Sequence, residues 1–371
     1  MLFVKEYYCH IKNYLIKVMS EILIITSGSS QLLTQIATLQ LKKIETNDVS
    51  VLYNGLLRGS LETFFEQVSK TLGFNYVGQI NFSINPEKAE RNQTAISIIK
   101  KENKKLNKII DKKFNILKKF KNYDLILIPV RVKVFSDIML LNYLKPKKVI
   151  YTADGIVDEL PKRNFKGLKF AYLKNHLKSL PIKDAIYSPE FLKKDIKELG
   201  VYKEVELKAV ISNLSKINLV KGFKELYLKE NVTYVIISQH YHLHENVSFE
   251  NDLSYYKNMI LKASNKLNKN SVILFKPHPR DLKEKINEIE NFNLKNLKVV
   301  SDEFQAVPIE FFETEFLKMK TIFLGGNSSA TLFLKKTNKV ISLFSEKYLS
   351  KELNGRIKTF AKKYEVNILE I

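Results

Sequence analysis

Residues 22–41, ILIITSGSSQLLTQIATLQL, decide the fold. The apolar run Ile22–Thr26 breaks into Ser27-Gly28-Ser29-Ser30, and apolar residues then recur at helical spacing over 31–41. A strand, a small-residue turn and a helix in that order open a doubly wound α/β domain. Ser29 and Gln31 then fall where such a sheet offers ligand contacts, just past a strand end.

The same grammar extends outward. Downstream come a short strand at 51–53, a Lys- and Asn-rich stretch at 95–121 that reads as one or two solvated helices, and a strand at 124–129 (DLILIP). A helix near 136–143, the strand KVIYT at 148–152, a strand at 185–188 and a helix ending at Gly200 follow. Uninterrupted apolar strands suit a parallel sheet covered on both faces. A second series begins at 232–238 (VTYVIIS) and continues with a helix near 254–267 and strands at 271–276 (SVILFK) and 297–300. A helix at 309–318, the strand TIFL at 321–324 and a further helix complete it. Two Rossmann-like halves joined near 205–230 predict a GT-B-type α/β chain with a central cleft. The expected domains are 1–220 and 221–371.

Size and composition agree. A chain of 371 residues exceeds what one core usually covers, and 45% hydrophobic residues with 23 Phe and 18 Tyr supply two. Lys and Arg outnumber Asp and Glu by 61 to 39, a formal charge of +22, which favours an anionic partner. The cations are mostly Lys, spread along the chain without an RNP, KH, zinc-finger or helix-turn-helix signature, which argues against nucleic acid. Cys9 is the only cysteine, so no internal disulfide forms and a cytoplasmic setting is expected. Residues 1–20 lack the apolar run of a signal peptide or a membrane span.

Three stretches, each just past an expected strand, can carry chemistry. In Gly325-Gly326-Asn327-Ser328-Ser329, glycines allow close approach of a ligand, and a helix start with two hydroxyls suits an anion. The same residues also read as a plain helix cap. In Lys276-Pro277-His278-Pro279-Arg280-Asp281, two prolines stiffen the chain around an imidazole that can donate to a departing phosphate, or simply be a satisfied histidine. Thr152-Ala153-Asp154-Gly155 puts a carboxylate at a strand tip, where it can act as a general base or merely form an Asp-Gly turn. Ser238 and Gln239 open a loop carrying His240, His242, His244 and Glu245. Alternating histidines could bind a metal, but a polar loop lining the site is the preferred reading, with no metal.

Taken in order, Ala153-Asp154-Gly155, His278-Pro279 and Ser328-Ser329 resemble the signatures of the bacterial lipooligosaccharide sialyltransferases and capsule polysialyltransferases: an acidic-acidic-glycine motif, an HP motif and an S-S/T motif. The resemblance implies a GT-B fold with the donor on the C-terminal domain and the acceptor on the N-terminal one. It also implies inverting, metal-independent transfer of sialic acid from CMP-sialic acid, the donor substrate, without a cofactor. Asp154 and His278 would be the catalytic pair. Lys276, His278, Pro279, Asn327, Ser328 and Ser329 would hold CMP, with Glu310 near the nucleoside. The partners implied are a nucleotide sugar and a glycan acceptor of capsule or lipooligosaccharide type, with peripheral contact to the anionic inner face of a bacterial membrane. Another CMP-keto-sugar such as CMP-Kdo fits the same motifs. One departure stands out: the family's first acidic residue is Ala153 here, so either Asp154 serves as the base, or Asp158 or Glu159 reaches in, or the acceptor chemistry is altered or lost.

Overall fold

The computed structural model describes residues 21–44, 48–55, 59–81, 108, 111–112, 114–129, 135–153, 185–193, 202–243 and 246–371. The chain divides into two compact units, one of Met1–Leu57 and Phe65–Val210, the other of Arg58–Phe64 and Ile211–Ile371.

The first unit holds a seven-stranded sheet built from β1 (Ile22–Thr26), β2 (Val49–Asn54), β3 (Asn75–Ile80), β4 (Leu125–Pro129), β5 (Lys148–Thr152), β6 (Ile186–Ser188) and β7 (Tyr202–Glu204). Their spatial order is β3-β2-β1-β4-β5-β6-β7, and every pairing is parallel. β1 and β4 are buried along their whole length, as expected of central strands with both faces covered. The helix Ser29–Leu41 turns Leu32, Leu33, Ile36 and Leu39 into the core. Its Gln35 amide donates to the Ile25 carbonyl at 2.8 Å, which ties the helix to β1.

The second unit holds six parallel strands: β8 (Asn231–Ile237), β9 (Ser271–Lys276), β10 (Leu297–Val299), β11 (Ile322–Gly325), β12 (Lys339–Phe344) and β13 (Asn367–Glu370), in the order β10-β9-β8-β11-β12-β13. One face carries a cluster of Tyr255, Tyr256, Met259, Ile260, Phe275, Leu353 and Ile357. In both sheets the chain lays strands outward in one direction and then returns to the other side. The reversal falls between β1 and β4 in the first unit and between β8 and β11 in the second. Open α/β sheets bind ligands beyond the carboxyl ends of the strands at such a reversal.

The structure adds strands β3, β7, β12 and β13 to those the sequence announced, and one helix differs. The helix expected at 309–318 is a 3₁₀ turn, Ile309–Phe312, that leads into an α-helix, Glu313–Met319, because Phe312 leaves helical geometry (φ −113°, ψ 18°). The join near 205–230 contains helices Lys208–Leu214 and Asn218–Tyr227. Residues 1–20, the helix expected to end at Gly200 and most of 95–121 lie outside the described residues.

Candidate functional site

Three strand tips in the second unit gather the chemistry. β8 lies between β9 and β11, with Ile237 opposite Lys276 and Ile236 opposite Leu324. At the usual strand spacing the tips of β9 and β11 therefore stand about 10 Å apart. Ser238 continues β8 and donates its N–H to the Lys276 carbonyl at 3.0 Å.

Beyond β9, the chain turns tightly. The His278 N–H donates to Asp281 Oδ2 at 2.8 Å, and the Asp281 N–H returns to the His278 carbonyl at 2.8 Å. The Arg280 N–H donates to His278 Nδ1 at 3.1 Å. An imidazole nitrogen that accepts carries no proton, so this bond assigns the ring proton to Nε2. The His240 ring lies against the His278 ring with centroids 4.3 Å apart. Lys276 is 7% exposed and donates to the Gln305 carbonyl. Burial pushes its ammonium down to about 8, while Glu310 and Asp281 pull the other way. Glu310 is itself buried, in the turn after Pro308.

Beyond β11, Gly325 and Gly326 pass beneath the β8 loop. A Cβ at position 326 would fall on the Tyr241 hydroxyl, so only glycine fits. That hydroxyl donates to Asn327 Oδ1 at 3.3 Å. Ser328 occupies the N-cap of the short helix Ser329–Leu334, yet its side chain makes no capping bond. Its carbonyl instead accepts the Thr331 N–H and hydroxyl. The Ser238 hydroxyl, on a residue 1% exposed, has no partner among the described residues.

The β8 loop thus touches both neighbours, through His240 to His278 and through Tyr241 to Asn327. The structure gathers Lys276, His278, Pro279, Asn327, Ser328, Ser329, Ser238 and Gln239 at the carboxyl end of the second sheet, the edge formed by its strand tips. Ser29 and Gln31 belong to the first unit, at the turn after β1. There the Gln31 Oε1 accepts the Ser27 N–H at 2.8 Å and the Ser27 hydroxyl at 2.7 Å, a local brace for the turn. Asp154, Gly155, Asp158, Glu159, His244 and Glu245 lie outside the described residues. Ala153 is described: it is 2% exposed and its N–H bonds the Tyr187 carbonyl at 2.9 Å. The carboxylate that the resemblance calls for at 153 is a buried methyl here.

Behind this edge lies a buried ion cluster that spacing alone does not announce. Lys285, Asp252 and Asp281 are all fully buried, and Lys285 Nζ contacts both carboxylates. Asp281 and Lys285 sit at i and i+4, a pattern visible in the sequence. Asp252 stands 33 positions away and only folding brings it in.

No protein-family model and no curated protein sequence matches the chain. Solved structures do. The S. aureus MnaA–UDP co-structure is 11% identical over 93% of this chain and 88% of that one, with a TM-score of 0.50. The α/β-galactoside α-2,3-sialyltransferase of Photobacterium phosphoreum is 10% identical over 94% and 97%, with a TM-score of 0.48. Arabidopsis thaliana UGT89C1 with UDP-L-rhamnose is 10% identical over 95% and 85%, with a TM-score of 0.47. At such identity the likeness to the S. aureus structure speaks of fold alone: two parallel-sheet, Rossmann-like domains of GT-B type.

Proposed function

We propose that the chain transfers sialic acid from CMP-sialic acid to a glycan acceptor of capsule or lipooligosaccharide type, with inversion and without a metal. The observation that carries this reading is the His278 turn. Its imidazole has Nδ1 occupied by the Arg280 N–H and therefore keeps its proton on Nε2, the atom that would donate to a phosphate oxygen. Lys276, Asn327 and Ser328 lie at the tips of β9 and β11, on either side of β8, and would complete the CMP phosphate site, with Glu310 toward the nucleoside.

In the reaction the bond from the sugar's anomeric carbon to the phosphate oxygen breaks, with oxocarbenium character in the transition state. His278 donates to the departing phosphate, and Lys276 and Ser328 stabilise its charge. The acceptor hydroxyl oxygen bonds the anomeric carbon from the other face and loses its proton to a base. With Ala153 a buried methyl, that role falls to Asp154, one residue on. The charge of +22 suits an anionic, lipid-linked acceptor at a membrane surface.

The test is an acceptor screen with labelled CMP-sialic acid and a mass readout, with CMP-Kdo as a parallel donor. His278→Ala and Asp154→Asn should each lower transfer by about 10²–10⁴-fold in a folded protein. A wild-type chain that neither binds CMP nor consumes either donor ends this reading.

A further inference from the structure

We infer that Lys285 is a positioning residue that locks the His278 turn and the 239–242 loop into one rigid body. It touches neither loop's reactive side chains; it holds their frames. The ammonium has three N–H donors and meets three acceptor groups. These are the Gln239 carbonyl at 2.9 Å, the Asp252 carboxylate at 3.2 and 3.3 Å, and Asp281 Oδ1 at 3.1 Å. Each acceptor leads to the candidate site. Asp281 uses its other oxygen to hold the His278 N–H at 2.8 Å. Gln239 is followed by His240, whose ring meets His278. Asp252 Oδ2 lies 2.6 Å from His242 Nδ1. The Tyr256 ring closes the remaining side, 4.1 Å from Nζ, and its hydroxyl accepts the Gln239 N–H at 2.6 Å.

Such a cluster is a poor way to gain stability, because desolvating three charges costs about as much as their attraction returns. What it supplies is geometry, since a buried ammonium with all three donors engaged favours one arrangement of its acceptors. Without the ammonium, two buried carboxylates would face each other. Asp281 would turn away or take up a proton, releasing the turn that fixes the His278 ring. The consequence for donor binding rests on the function proposed above, and the first measurement below does not.

The test labels the histidine rings with ¹⁵N. In the wild type, His278 should show an accepting Nδ1 and a protonated Nε2. In Lys285→Met the expected result is a His278 ring averaging between tautomers, while circular dichroism reports a folded chain. If the single variant does not fold, Asp252→Asn/Lys285→Met, which removes one charge of each sign, carries the same measurement. A His278 ring that keeps its Nε2–H tautomer in a folded variant overturns the inference. The second measurement is CMP affinity in a double-mutant cycle with His278→Ala. Lys285→Met alone should weaken CMP by about 10–100-fold, and the double variant should bind no worse than His278→Ala. Additive losses would mean that Lys285 acts elsewhere and overturn the inference too. If the wild type does not bind CMP, the donor reading fails, and the tautomer measurement alone decides the role of Lys285.

Discussion

At the scale of single residues, the site depends on which atoms are already engaged. His278 spends Nδ1 on the Arg280 N–H and so presents itself as a donor through Nε2. Lys276 is the other unusual residue, a lysine whose burial brings its ammonium down to about 8 from 10.5. A depressed lysine makes the folded chain bind fewer protons than the unfolded one between those values, so stability should rise with pH across that window. Below about 8 both states are protonated and the net cost of keeping the buried ammonium charged remains, of order 3 kcal/mol. Denaturant titrations from about pH 7.5 to about pH 10.5 on wild type and Lys276→Met check this. The rise should be present in the first and absent in the second. A parallel slope in both would assign it to other groups.

At the scale of elements, the site is a set of strand-to-helix turns pressed against one another. Gly326 and Tyr241 show how closely: the ring of Tyr241 is 4% exposed and wedged beside Tyr255 and Tyr256, so it cannot retreat from an added methyl. Gly326→Ala should cost about 1–3 kcal/mol by overpacking. Adding Tyr241→Phe, which removes the clashing oxygen, should restore part of that loss, as denaturation midpoints will register. Equal losses with and without the hydroxyl would point to backbone strain instead. The motif of prolines around His278 was legible because proline constrains its neighbours wherever it stands. Whether Ser328 caps its helix was not legible, since a serine there suits either use. The answer came from the side chain's lack of a capping bond and the carbonyl's bonds to Thr331.

At the scale of the whole molecule, two parallel sheets each reverse strand order once, and a charge of +22 is spread over the chain. Among the described residues no helix is long and apolar enough to cross a membrane. Diffuse lysine charge predicts weak, salt-sensitive attraction to any polyanion, whereas a built nucleotide site predicts a salt-tolerant one. Thermal shift with CMP should therefore persist between low and moderate salt, and any shift with duplex DNA should collapse. A DNA shift that survives salt while CMP gives none would reverse the functional reading.

Continuous apolar runs ending in Gly, Ser, Pro or Asp marked β1, β4, β5, β8, β9 and β11, and so the two-sheet architecture and the three candidate turns, from local pattern alone. Periodicity and turn chemistry act over a few residues, so they survive in a bare string. The edge strands β3 and β13 did not stand out: one carries Gly78 at φ +105° beside a register shift, and the other is exposed along its length. Only tertiary structure could bring Asp252 to Lys285, Tyr241 to Gly326 and His240 to His278. These contacts arise from strand order, and strand order is decided by which buried faces pack together rather than by any neighbour in sequence.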